Sequence, residues 1–346
     1  MSRRKGLTEG RDTLVDAKKT RLGISDRHAR AADLCGQVVN NYLVEAELGA
    51  GAMGTVYLAS HIDTHQKVAI KALHSHLVTE KVVVERFHRE AKLASRISHP
   101  NLGGVIELGS VLEDGRHVIV LELVEGEPLS SILTMPLAAE RVLELTTQLL
   151  RGLEHAHDKG LVHRDLKPDN VIVDWRDGIE HVRIVDWGIA IVRNPDESSL
   201  ERLTANGQII GTPAYMSPEQ AKGDSIDHRA DLFALGVMVY EMFTGVLPFE
   251  GRAIEILHAN MSRDPLPMGE RVKGLLVDPL HEAFARRLMA RDRKKRFATA
   301  TSALEMLERM VEDPDGAALA LGRMNVPRAL DVVMLPDPPA PKGRIR

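Results

Sequence analysis

Residues 163–170 read HRDLKPDN, and the reading of this loop decides how the rest of the chain is understood. Within it stand a carboxylate (Asp165), an ammonium (Lys167) and a carboxamide (Asn170), and the nearby VDWG (185–188) adds a second carboxylate, Asp186, at the end of a strand pattern. The groups suit different tasks. Asp165 can accept or orient a hydroxyl proton and Lys167 can steady a moving phosphoryl group, while Asn170 and Asp186 offer the hard oxygens that magnesium prefers. Each residue alone reads as an ordinary loop or capping residue; their order and spacing together do not.

Toward the N-terminus, LGAGAMGTVY (48–57) places Gly49, Gly51 and Gly54 where bare backbone can approach phosphate oxygens. A dinucleotide-binding turn would open a helix after the last glycine. Here Thr55 to Ala59 alternates as a strand, so the loop is a hairpin flap. Fifteen residues after Val56, Lys71 closes the strand VAIK. From Thr79 to Ile97 the period becomes helical, and Val83, Phe87, Glu90, Ala94 and Ile97 share one face. A carboxylate in an apolar stripe needs a cation, and an inward lysine needs an anion, so pairing of Lys71 with Glu90 is expected.

The remaining patterns divide the chain. Short strand patterns at Val105–Leu108 and Val118–Leu123 complete a small antiparallel lobe, and Leu137–His157 reads as a long helix that Gly160 ends. Phe233–Phe243 is apolar all round but too short to cross a bilayer, which makes it the central helix of a second lobe. The fold class expected is therefore α+β and bilobal. The first 35 residues hold nine Lys or Arg against five Asp or Glu and read as a basic flexible tail. The folded domain is expected over 36–310, its small lobe over about 36–123 and its large lobe over about 124–310, followed by a Pro-containing tail over 311–346. A single cysteine, Cys35, and no export-like leader point to the cytoplasm, and a net charge of -4 without a basic, aromatic-rich stripe argues against nucleic acid.

These motifs resemble the Hanks-type protein kinases, most closely the bacterial eukaryotic-like Ser/Thr group, over roughly Asn40 to Leu307. The resemblance implies ATP and Mg2+ as cofactors, with Mn2+ able to substitute, and proteins bearing serine or threonine as partners. It implies Asp165 as catalytic base, Lys167 beside it, Asn170 and Asp186 as metal ligands, Lys71 paired with Glu90, and the three glycines over the phosphates. Leu48, Val56, Ala69 and Ile172 would enclose the adenine, Leu121 would guard the back of its pocket, and Glu122 and Val124 would meet its edge through their backbone. GTPAYMSPEQ (211–220) resembles the segment that docks a peptide, with Thr212 set to bond Asp165 and Lys167. Glu219 with Arg296, and Asp231, match structural positions of the second lobe, and His157 matches a position that braces the catalytic loop.

Two features bear on regulation. Trp187 stands where the family has phenylalanine, which implies retained activity but altered switching, with Ala94 leaving room for the larger ring. Arg164, beside Asp165, would be poorly satisfied without an anion. Phosphorylation of the segment between Asp186 and Glu219 would supply one, with Thr204 favoured over Ser198 and Ser199 and a transient homodimer phosphorylating in trans. The alternative is an already ordered loop in which Arg164 pairs with Glu197 or Glu201. Among other functions, an aminoglycoside-type small-molecule kinase would not need Lys167 or the docking segment, and a pseudokinase scaffold would lack one of Lys71, Asp165, Asn170 or Asp186. A histidine metal site is disfavoured, because the pairs His74/His76 and His155/His157 have a spacing that does not share a helix face.

Overall fold

The computed structural model describes residues 34–51, 53–176, 178–187 and 213–322. The expected α+β architecture is present. Six antiparallel strands form the small-lobe sheet: β1 (Val38–Val39), β2 (Tyr42–Ala50), β3 (Gly54–His61), β4 (Lys67–Leu73), β5 (Val105–Glu107) and β6 (Val118–Glu122), in the order β1-β2-β3-β4-β6-β5. One helix, α1 (Lys81–Ala94), accompanies them, with Val83, Phe87, Glu90, Ala91 and Ala94 buried as the helical period requires. One face of the sheet closes over a small core that includes Leu34, Val44, Tyr57, Ile70 and Val120, while α1 packs into the larger core shared with the helices below.

The large lobe begins with β7 (Glu127–Pro128) and the short helix α2 (Leu129–Ile132). The long helix α3 (Ala139–Asp158) starts two residues later than the sequence pattern suggests, because Leu137 is buried and its amide bonds the carbonyl of Met242. Gly160 (φ +75°) turns the chain out of it as expected. The hairpin β8 (Val171–Arg176) and β9 (Ile179–Ile184) joins β7 in a three-stranded sheet, with residues 163–170 immediately before β8 and Asp186 two residues after β9.

After the short α4 (Pro218–Lys222) comes α5 (Arg229–Thr244), buried almost throughout as its unbroken apolar composition demands. Helices α6 (Ala253–Ser262), α7 (Met268–Arg271), α8 (Pro279–Leu288) and α9 (Ala300–Glu312) surround it, with α8 against α5 and α9 along α3. The folded body is longer than the expected 36–310. Leu34 is a core residue of the small lobe, and a further helix, α10 (Pro314–Ala320), buries Ala317 and receives a bond from Arg287 to the Ala320 carbonyl. The polar and small residues around 313–320 hide this helix from a reading by apolar period; its start is signalled instead by Asp313, whose carboxylate accepts from the Gly316 amide, with Pro314 in the first turn.

Candidate active site

The site lies where the ends of β4 and β6 face the loop that precedes β8. Gly54 is sterically required at the flap, because a Cβ there would lie 2.2 Å from the Ala72 carbonyl oxygen of the neighbouring strand. The flap is closed by the Gly51 amide on the Gly54 carbonyl (2.8 Å), and the His74 ring meets the Gly51 carbonyl at 2.9 Å. Among the expected adenine-enclosing residues, Ala69 and Leu121 are register partners on β4 and β6, Val56 and Ile172 are half-buried, and Leu48 is 52% exposed at the rim. The side chain of Glu122 is occupied by Arg183 and the Gly104 amide, which ties this strand end to β9.

The catalytic loop is held from beneath. Asp231, at the start of α5, accepts from the amides of His163 (2.8 Å) and Arg164 (2.8 Å) and bonds the His157 ring (2.9 Å). Burial alone would raise the Asp231 carboxyl, but these partners outweigh it and hold it below its ordinary value. Thus His157 braces the loop through Asp231. The His163 ring bonds the Val185 carbonyl at 3.1 Å and lies against the Trp187 ring at 5.1 Å, so the loop and the strand end carrying Asp186 are positioned as one piece. On this support Lys167 Nζ lies 2.8 Å from Asp165 Oδ2, and Asn170 donates to the Asp165 carbonyl at 2.8 Å and to its carboxylate at 3.3 Å. Arg164 (φ +66°) and Asp186 (φ +56°) adopt left-handed backbone, an uncommon state for residues other than glycine.

Two ion pairs depart from expectation. Lys71 bonds Asp186, and Glu90 bonds Arg164 at 2.7 Å; the expected Lys71–Glu90 pair is not formed. The physical demand that predicted it is met differently, since the buried carboxylate and the inward ammonium each find an opposite charge, but from the large lobe. Burial raises the Glu90 carboxyl above its ordinary value, with Arg164 opposing, and Oε2 has no hydrogen-bond partner among the described residues. Burial also works against the Asp186 carboxylate, but Lys71 outweighs it and holds the carboxyl below its ordinary value. Arg164 is therefore not unpaired; the partners expected for it, Glu197 and Glu201, lie outside the described residues, as do Ser198, Ser199, Thr204 and Thr212.

Glu219 and Arg296 form a buried two-bond pair, at 2.6 and 2.8 Å. Sequence reasoning passed over Gln220, whose amide donates to the Arg164 carbonyl at 2.7 Å. The signal was present: Ser217-Pro-Glu-Gln220 is a capping box, which fixes the Gln220 side chain at the start of α4. Asn260 was also missed; it donates to the carbonyls of Pro213, Ala214 and Met216 from a distant helix, a contact with no local signature.

Trp187 is buried in the main core that also contains Ala94. Trp187→Phe should leave a cavity, lower stability by about 1–3 kcal/mol and reduce turnover modestly. Thermal unfolding and initial rates check this, and a variant both more stable and more active would refute complementary packing.

Comparison with known proteins places this geometry. Residues 42–308 match the protein kinase domain family. The chain is 38% identical over 267 residues to the serine/threonine-protein kinase pkn3 of Myxococcus xanthus, covering 76% of this chain and 48% of that protein. It is 33% identical over 258 residues to PknB of Mycobacterium tuberculosis, covering 73% and 40%. It thus spans about half or less of the length of these curated relatives. Among solved structures, the PknI kinase domain of Mycobacterium tuberculosis superposes with a TM-score of 0.62 at 26% identity, covering 81% of this chain and 99% of that one. With the match spanning both lobes and the loop of Asp165, Lys167 and Asn170, the chain belongs to the protein kinase domain family.

Proposed function

We propose that this chain transfers the γ-phosphoryl group of ATP to serine and threonine hydroxyls of proteins. The observation that carries the reading is the placement of the Asp165 carboxylate beside the Lys167 ammonium, on a loop fixed by Asp231. Asp165 orients the acceptor hydroxyl and takes its proton as the oxygen attacks the γ-phosphorus. Lys167 neutralises charge on the transferring oxygens, and Lys71 positions the phosphates that remain on the nucleotide.

Magnesium suits the donor set: Asp186 supplies a carboxylate, and Asn170, with its amide nitrogen committed to Asp165, has its oxygen left as the ligating end. Bound there, the ion would neutralise the phosphate oxygens. Incubation of the purified chain with radiolabelled ATP, magnesium and casein tests the proposal; the label should appear on phosphoserine or phosphothreonine. Label on an aminoglycoside but never on protein would favour the small-molecule alternative.

Autophosphorylation in trans within a transient homodimer, with Thr204 as the dominant site, is part of the same reading, as are a cytoplasmic setting and protein rather than nucleic-acid partners. Among the described residues no helix is long and apolar enough to cross a membrane. Thr204→Ala should lower activity about tenfold, the effect of withdrawing a phosphate that orders a loop through arginine. Mass spectrometry of the parent beside Asp165→Asn checks the site; undiminished activity in the alanine variant removes this switch.

A further inference from the structure

We infer that His74 is a positioning residue for the nucleotide phosphates: its ring, mounted at the end of β4, holds the glycine flap in the arrangement that receives them. The inference rests on the kinase reading above, in which the flap lies over those phosphates. His74 Nε2 lies 2.9 Å from the Gly51 carbonyl oxygen. A carbonyl only accepts, so the imidazole carries a hydrogen on Nε2 and donates it. The His74 amide also donates to the Met53 carbonyl at 2.9 Å. One residue thus grips the flap tip at two positions.

The two ends of this contact differ in firmness. Pairing of β3 with β4 stops at Gly54 and Leu73, so residues 51–53 project beyond the ladder. Within the tip, the Gly51 amide closes on the Gly54 carbonyl at 2.8 Å, a bond that shapes the turn without attaching it to anything else. Gly51 has no side chain with which to restrict itself, so an outside donor supplies the constraint. His74, by contrast, follows Leu73, whose side chain is buried and whose amide donates to the His117 carbonyl at 2.8 Å. Its ring is half-buried and stacks on that of His76, with centroids 5.5 Å apart and 20° between the planes. Lys71 stands three residues earlier on the same strand. The ring therefore fixes the flap to the strand that carries the phosphate-positioning lysine, and the two are set over the phosphates together.

The test uses the full chain with two substitutions. His74→Phe keeps a ring for the stack on His76 and removes the donor, whereas His74→Gln places an amide nitrogen as many bonds from Cβ as Nε2 is. His74→Leu replaces the phenylalanine variant should that one fail to fold. Calorimetric titration should show magnesium-ATP bound about three- to tenfold more weakly by His74→Phe and returned to within about twofold of the parent by His74→Gln, the scale of one hydrogen bond. Adenosine, which has no phosphates, should bind all three alike. The KM for ATP should rise with the loss of binding, with a smaller change in turnover. A merely structural role would weaken ATP and adenosine together and would not be relieved by glutamine. Parental ATP affinity in the phenylalanine variant, an equal loss for adenosine, or no recovery with glutamine would overturn the inference. If the parent itself binds no ATP, the kinase reading fails, and amide exchange over 49–54 decides the role of His74: faster exchange in His74→Phe alone supports it, and unchanged exchange overturns it.

Discussion

Asp186→Asn is expected to abolish phosphoryl transfer, with turnover reduced by about 10³-fold or more, while the protein stays folded. The substitution keeps side-chain volume and shape, and asparagine accepts the left-handed backbone that Asp186 adopts. It removes one negative charge from a position where Lys71 and, in the proposed reaction, magnesium both depend on it. An amide oxygen can still ligate weakly, but it cannot neutralise a divalent ion or hold Lys71 by charge. Assays with radiolabelled ATP, run beside thermal unfolding, separate lost chemistry from lost structure. Near-parental transfer by the folded variant would contradict the proposed site.

The second large effect is on stability. Glu219→Ala should destabilise the protein by about 3–5 kcal/mol, because it leaves the Arg296 guanidinium buried without its carboxylate. The Arg296 side chain is 0% exposed, and it also bonds the carbonyls of Ala290 and Arg229 and lies over the Phe233 ring at 5.0 Å, so it cannot readily turn to solvent. Burial by itself would raise the Glu219 carboxyl, but the Arg296 bonds outweigh it and hold the carboxyl below its ordinary value. The sign follows from linkage. A carboxyl lowered on folding contributes stability that is present above its unfolded value and is lost as pH falls through the folded one. Urea unfolding at pH 7 and under acid conditions should therefore show the gap between parent and variant narrowing in acid. A gap below about 1 kcal/mol at pH 7 would mean the pair is no stronger than a surface contact.

Much of the architecture was legible because the signals are local. The alternation across Thr55–Ala59 appears as β3, the shared face of Val83, Phe87, Glu90 and Ala94 appears as α1, and the apolar run within 233–243 is the buried middle of α5. HRDLKPDN was legible for the same reason, since Asp165, Lys167 and Asn170 are neighbours before they are a site. The choice of ion-pair partners was not. Lys71, Arg164, Glu90 and Asp186 can pair in two consistent ways, and charge matching cannot rank them; the choice depends on where α1 sits relative to the large lobe. Asn260, reaching three carbonyls more than forty residues away, shows the same limit for a neutral side chain. The ends of the domain were misplaced because Leu34 is a single apolar residue beside a charged segment and α10 is short and built of small residues.

The attachment of the catalytic loop to Asp231 has a consequence for partial unfolding. The carboxylate that receives the His163 and Arg164 amides belongs to the most buried helix, so this stretch of loop opens only when that helix does. Local fraying of the flap can proceed without disturbing it. Hydrogen-exchange protection should consequently be uneven across the cleft, with these two loop amides exchanging on the slow timescale of the large-lobe core and the flap amides of 49–54 exchanging early. The cleft thus joins two cooperative units of different durability, and the residues proposed to meet the acceptor hydroxyl belong to the durable one.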